Sequence, residues 1–219
     1  MKYILWDWNG TLLDDTRAAL DTLNDMLVRR KRPPITMDFY RDRFAFPCRP
    51  FYEEIGMAVS DAEWDDLARE YHEVYSRQPV RLNAETIAAL ECVRAAGVKQ
   101  SIISALRQDL LDVQTAELGV APYMESIYGT DNLDGASKLD RALELMNRIA
   151  PSDGEMPTVT LIGDSLHDKE VADALGVRCV LCACGSHAAW RLRQVAPTGE
   201  TLSEAVKLAL SHFPVSSPS

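Results

Sequence analysis

The chain has 219 residues, 47% of them hydrophobic and 26% charged, which supplies one substantial core plus an insertion or small second domain and is too apolar for a disordered chain. Its 33 acidic and 23 basic residues give a formal net charge of −10, and the single basic run, Arg29-Arg30-Lys31-Arg32, falls at an expected helix end whose dipole it complements, so a general nucleic-acid-binding surface is excluded. No stretch is long and apolar enough to span a bilayer, the N-terminus lacks the order of segments a signal peptide needs, and the 5 cysteines are irregularly spaced, so a cytoplasmic chain with no membrane partner and no disulfide framework is expected.

Residues 2–7 read as a short apolar strand, stopped by the turn signal Asn9-Gly10. Asp14 or Asp15 can cap a helix running to about residue 30, which Pro33-Pro34 ends. Thr36 caps a short helix over 37–44, residues 50–56 look like another, and Ser60-Asp61-Ala62-Glu63 is a capping box opening a helix through about residue 78. After Pro79 the rhythm changes to helix and strand in alternation. Helix 84–96, capped by Asn83, is followed by strand 98–103, helix 106–118, a weaker strand 124–128 and helix 137–149. Strand 158–162, helix 167–175, strand 177–183 and helices near 188 and 202 complete the series, and 214–219 reads as a frayed tail.

Such alternation implies parallel strands joined by helical crossovers. The expected architecture is therefore an α/β, doubly wound Rossmann-like core made of residues 1–14 and 81–213, with an all-helical cap of residues 15–80 inserted after the first strand. Cys179, Cys182 and Cys184 form a C-x-x-C-x-C cluster near His187. Because 177–183 reads as a buried strand, these cysteines are expected to pack as small apolar residues rather than to bind a metal. Trp6 and Trp8 are expected to pack in the core.

In open α/β sheets ligands bind at the carboxyl ends of the strands. Four expected ends carry polar residues: Asp7, Ser104, Gly163-Asp164-Ser165 and the loop before Lys138. Asp7 and Asp164, brought to adjacent strand ends, would offer the hard oxygen ligands that suit Mg²⁺. A hydroxyl at Ser104 and an ammonium at Lys138 would serve an anion, and a phosphoryl group has three oxygens to be held. An acid closing a buried strand is costly without a partner, which favours function at Asp7, whereas Ser104 and Ser165 also suit helix N-caps.

Asp7-Trp8-Asn9-Gly10-Thr11 resembles the first motif, D-x-D-G-T, of the haloacid dehalogenase superfamily. Ile102-Ile103-Ser104 resembles its second motif, Lys138 its third, and Gly163-Asp164-Ser165-Leu166-His167-Asp168 its fourth, G-D-S-x-x-D, in the right order and with a helical insertion where that family places its first type of cap. The resemblance is to phosphoglycolate-phosphatase-like hydrolases and covers the chain except the tail. It implies that Asp7 takes the phosphoryl group as an aspartyl phosphate. Asp164, Asp7 and the backbone carbonyl of Asn9 would hold Mg²⁺, and Asp168, with Ser165 beside it, would orient Lys138 or a metal-bound water. Gly10, Thr11, Ser104 and Lys138 would bind the phosphate of a small phosphorylated metabolite.

Asn9 departs from the pattern, because the family's phosphatases carry there a second Asp that protonates the leaving oxygen and then activates water. An amide cannot do this, and general acid–base help is worth ~10² to 10⁴ in rate. The first reading is a working phosphatase with a slower step, an undemanding leaving group or a proton donor borrowed from the cap. The second is a weakly active or inactive phosphate-binding or regulatory protein, and the third is deamidation of Asn9. A phosphonatase also lacks that Asp but borrows a cap lysine; Lys31 is the only lysine in the insertion. Within the cap, residues 41–50 look most site-like, and Arg43 and Arg49 could pair with a second anionic group on the substrate. The oligomeric state is not legible.

Overall fold

The computed structural model describes residues 1–57, 60–130, 138–150 and 157–213; the expected frayed tail at 214–219, the loop before Lys138 and the first residue of the helix expected at 137–149 lie outside the described residues. The chain opens with β1 (Lys2–Trp6), turns, and forms the short β2 (Leu13–Asp14), which pairs antiparallel with β3 (Arg81–Leu82). Between the two halves of this ribbon lie four helices: α1 (Thr16–Arg29), α2 (Met37–Arg43), α3 (Arg49–Glu54) and α4 (Asp61–Tyr75). Thr36 caps α2 through the Phe39 N–H, and the Ser60/Glu63 box caps α4, as expected from the sequence. These helices bury a core of their own, including Leu20, Leu23, Met26, Tyr40, Phe51, Tyr52 and Leu67.

The remainder alternates: α5 (Thr86–Ala95), β4 (Lys99–Arg107), α6 (Gln108–Glu117), β5 (Ser126–Thr130), α7 (Lys138–Ile149), β6 (Thr158–Gly163), α8 (Leu166–Leu175), β7 (Arg178–Cys182), α9 (Ala189–Leu192), β8 (Thr198–Gly199) and α10 (Leu202–Leu210). Six strands form one sheet in the order β5-β4-β1-β6-β7-β8, with every neighbouring pair parallel. This is the doubly wound α/β architecture, and its crevice opens at the carboxyl end of the central β1.

Strand periodicity decides which side chain meets which helix layer. Ile4, Trp6, Ile102, Ile162 and Val180 pack with Leu90 and Val93 of α5 and Leu202 and Val206 of α10. Their neighbours Tyr3, Leu5, Ile103, Leu161 and Leu181 face Ala142 and Leu145 of α7 and Val171 and Ala172 of α8. Trp6 and Trp8 are fully buried, and each indole N–H finds an amide oxygen, Gln100 Oε1 at 2.9 Å and Gln114 Oε1 at 2.8 Å.

Three local expectations are corrected. Strand β4 does not stop at residue 103: it runs past an irregularity to pair Arg107 with Thr130, so Ser104 lies within a strand and does not cap α6. Asp15 occupies the N-cap position of α1 but makes no side-chain capping bond, its carboxylate being used elsewhere. Cys182 and Cys184 are joined as a disulfide, whereas Cys179 is free and buried as expected. A spacing of two residues at a strand end gave no sign of this pairing, because disulfide frameworks are read from longer loops.

Candidate active site

Asp7 leaves the end of β1, anchored by its N–H to Ile162 O of β6 at 2.9 Å. The chain then reverses through Gly10, at φ +76°, where a Cβ would come within 2.4 Å of Asp164 Oδ2; only glycine allows the turn to approach that carboxylate. Asp164 follows β6. The next helix, α8, is capped by Ser165, whose Oγ accepts the Asp168 N–H at 3.3 Å, while Asp168 Oδ2 accepts the Ser165 N–H at 3.0 Å and its hydroxyl at 2.6 Å. The cap thus fixes Asp168 one turn into the helix, with its other oxygen aimed across the site.

Lys138, the first residue of α7, donates to both Asp7 Oδ1 at 2.5 Å and Asp168 Oδ1 at 2.6 Å. All four charged groups, Asp7, Lys138, Asp164 and Asp168, are at most 6% exposed. Burial works against the charge of Lys138, but Asp168 and Asp7 outweigh it and raise its pKa, so it stays an ammonium. Burial, with Asp168 and Asp164 nearby, pushes Asp7 well above the ordinary carboxylate range against the pull of Lys138, and burial with Asp168 pushes Asp164 up to about 6. Asp168 alone of the three is lowered, Lys138 overcoming the cost of its burial.

Asp7, Asp164 and Asp168 present oxygen atoms within 4.8 Å of one another. Asp168 is committed to Lys138 and the helix cap, and Asp164 Oδ2 accepts the N–H and hydroxyl of Ser186 at 2.5 and 2.6 Å. Three buried carboxylates face one ammonium, an excess of negative charge that a hard divalent cation held by Asp7 and Asp164 would neutralise; the donor set fits Mg²⁺. Thr11 Oγ1 donates to Asp7 Oδ2 at 3.1 Å and lies 3.5 Å from Asp164 Oδ1, holding the two acids in register.

Asn9 is held by a cluster that sequence reasoning missed. Its Nδ2 donates to Asp15 Oδ2 at 2.8 Å and to the Tyr75 hydroxyl at 3.2 Å, while Tyr75 donates to the same Asp15 oxygen at 2.5 Å and the Gly10 N–H to Asp15 Oδ1 at 2.7 Å. Its Oδ1 is 3.5 Å from Ser104 Oγ, which itself accepts the Leu106 N–H at 3.0 Å. Asp15 is 4% exposed, and burial raises its pKa. The missed Ser186 follows the carboxyl end of β7, a place where strand-end reasoning applied equally.

A cavity of about 480 Å³ opens onto these groups, lined at one end by Asp7, Asn9, Gly10, Lys138, Asp164 and Ser165. Ser104 does not line it; Ala105 and Leu106 do. Arg43 is exposed, bonded to Glu54 at 2.8 Å and outside the cavity, so the expectation that it meets substrate is not met. Arg49 lines the cavity but is engaged by Asp61 at 2.5 Å and lies over the Trp64 ring. Lys31 is exposed and also outside it, which removes the observation behind an imine-forming cap lysine.

The family model for haloacid dehalogenase-like hydrolases matches residues 4–182. Among curated proteins, the phosphoglycolate phosphatase of Caulobacter vibrioides is 26% identical over 190 residues, 83% of this chain and 79% of that protein. Phosphoglycolate phosphatase 1 of Pseudomonas aeruginosa is 22% identical, over 90% of this chain and 75% of its own. The crystal structure of a predicted phosphatase from Clostridium acetobutylicum superposes with a TM-score of 0.77 at 16% identity, covering 96% of this chain and 98% of that one.

Proposed function

Because the chain belongs to the haloacid dehalogenase-like hydrolase family, we propose that it is a magnesium-dependent phosphatase that hydrolyses a small phosphorylated metabolite through an aspartyl phosphate on Asp7. The observation that carries this reading is the buried arrangement in which Lys138 bridges Asp7 and Asp168 while Asp164 presents an oxygen within 4.8 Å of theirs. Asp7 attacks phosphorus, and Lys138 and Thr11 orient its two oxygens for that displacement. Lys138 also supplies positive charge where the phosphoryl oxygens gather charge. Asp7, Asp164 and the backbone carbonyl of Asn9 would hold Mg²⁺, which would supply charge neutralisation there. Asp168 keeps Lys138 in place. The two curated relatives, both phosphoglycolate phosphatases, support a small phosphorylated substrate.

Asn9 takes no proton from water and gives none to a leaving group, so turnover falls with the basicity of the leaving oxygen. The test is phosphate release from an activated aryl phosphate with and without Mg²⁺. Activity in the native chain, its loss on chelation and its loss in Asp7→Asn by at least about 10³-fold are expected. Turnover persisting in Asp7→Asn would overturn the nucleophile assignment. A native chain that binds phosphate without releasing it from any ester would favour a binding or regulatory role.

A further inference from the structure

Away from its charged end the cavity changes character. Tyr40, Phe44, Phe46, Tyr52, Trp64 and Tyr71 contribute aromatic rings to its wall, and aliphatic surface from Leu23, Pro47 and Leu106 joins them. Several of these rings are locked against one another, Tyr52 against Trp64 at 5.6 Å and Phe44 against Phe46 at 5.3 Å, both edge to face. Such a slot is held open by ring packing and presents ring edges and faces to its contents, which favours flat apolar bodies. A two-carbon acid would leave most of about 480 Å³ unfilled. Among the described residues, its two permanently cationic side chains are Arg49 and Lys138, and both are engaged by carboxylates.

Asn9 points the same way by independent chemistry. With no acid at that position, and with its amide N–H bonds spent on Asp15 and Tyr75, the leaving oxygen must depart without a proton from residue 9. A phenolic oxygen, whose conjugate acid has a pKa of about 10, departs far more readily than an alkoxide.

We propose that the substrate is an aryl phosphomonoester, its phosphate at the Asp7 and Lys138 end and its ring in the aromatic slot lined by residues of α1, α2, α3, α4 and the loop before α3. This rests on the phosphatase reading above and names its substrate class. The Asp7 carboxylate oxygen forms a bond to phosphorus as the bond from phosphorus to the aryl oxygen breaks, and the electron pair leaves with the phenolate, which takes a proton from solvent. Water then attacks the aspartyl phosphate, its oxygen bonding to phosphorus as the bond from the Asp7 oxygen breaks, and the product leaves as dihydrogen phosphate carrying both protons of the water.

The test uses the full chain with Mg²⁺. Phosphate release from 1-naphthyl phosphate, glycerol 3-phosphate and phosphoglycolate gives relative kcat/KM, and calorimetry gives the affinities of 1-naphthylmethylphosphonate and methylphosphonate, which have no leaving group. The expected results are kcat/KM at least about 100-fold higher for the naphthyl ester and binding at least about tenfold tighter for the naphthyl phosphonate. Ala68→Trp, which fills the slot from α4, should cut the naphthyl-to-glycerol ratio at least about tenfold. Phosphoglycolate turned over as well as the naphthyl ester, or equal affinity for the two phosphonates, would overturn the substrate class. Preference for the naphthyl phosphonate without hydrolysis of any ester would support the ligand class while overturning the phosphatase reading.

Discussion

At position 9 an aspartate would set two carboxylates side by side, because the atom that would carry its second oxygen is now an amide nitrogen 2.8 Å from Asp15 Oδ2. The acid of this buried cluster is Asp15, which the Gly10 N–H and Tyr75 hydroxyl satisfy. Asn9→Asp alone should lower stability to urea, and Asn9→Asp with Asp15→Asn should recover most of the loss, with a coupling of about 1–3 kcal/mol in the double-mutant cycle. Additive effects of the two changes would show that the residues do not share the cluster. Sequence alone made Asn9 conspicuous but read Asp14 or Asp15 as a helix cap. The cap reading follows from one residue's place before α1, whereas the true partner, Tyr75, comes from the far end of α4, 60 residues on.

Among elements, α8 ties local capping to the site. In its box, Asp168 accepts from Ser165 through Oδ2 and from Lys138 through Oδ1, so one side chain both ends a helix and holds the lysine. The α4 box has the same form, with Glu63 accepting from Ser60 at 2.6 Å, but lies exposed and outside the cavity. Ser165→Ala and Ser60→Ala should each cost about 1 kcal/mol of stability, yet only Ser165→Ala should also reduce turnover. Equal turnover in both variants would show that the α8 cap does not position Lys138. The α4 box and Ser165 as an N-cap were legible because capping is a short-range pattern; the extra length of β4 was not, because its last pairing is with Thr130 on another strand.

Across the whole molecule, the loop after β7 and α9 join the sheet to the helical insertion. Arg41 Nε donates to Gly185 O at 3.0 Å, Arg191 to the carbonyls of Arg41 and Phe44 at 2.9 and 2.7 Å, and Trp190 to Asp42 at 2.8 Å. Within this seam His187 is 1% exposed, accepts the Leu166 N–H at its Nδ1 at 3.0 Å and meets the Phe44 ring. Burial, with Arg191 nearby, pushes its pKa down to about 3. Its unfolded value is higher, near 6.5, so between these limits the unfolded chain binds the extra proton and folding stability falls as pH falls. From pH 7 to 5.5 this one group should cost about 1 kcal/mol. His187→Asn, which keeps an acceptor for Leu166, should flatten the fall in urea stability over that range, and an unchanged slope would remove His187 from the account.

The sequence by itself determined the doubly wound α/β core, because hydrophobic runs, helix caps and their alternation are local signals with few compatible topologies. Strand ends also marked Asp7, Lys138 and Asp164, and the resemblance to the family's motifs added Asn9 and Asp168. Only the tertiary structure decided what surrounds them: Asp15 and Tyr75 on Asn9, Ser186 on Asp164, Ser104 inside a strand, and Arg43 turned away to Glu54. Those choices depend on which distant side chains meet when α4 and the β7 loop reach the strand ends. The aromatic slot belongs to the same class, since its rings come from separate elements of the insertion and no local pattern brings them together.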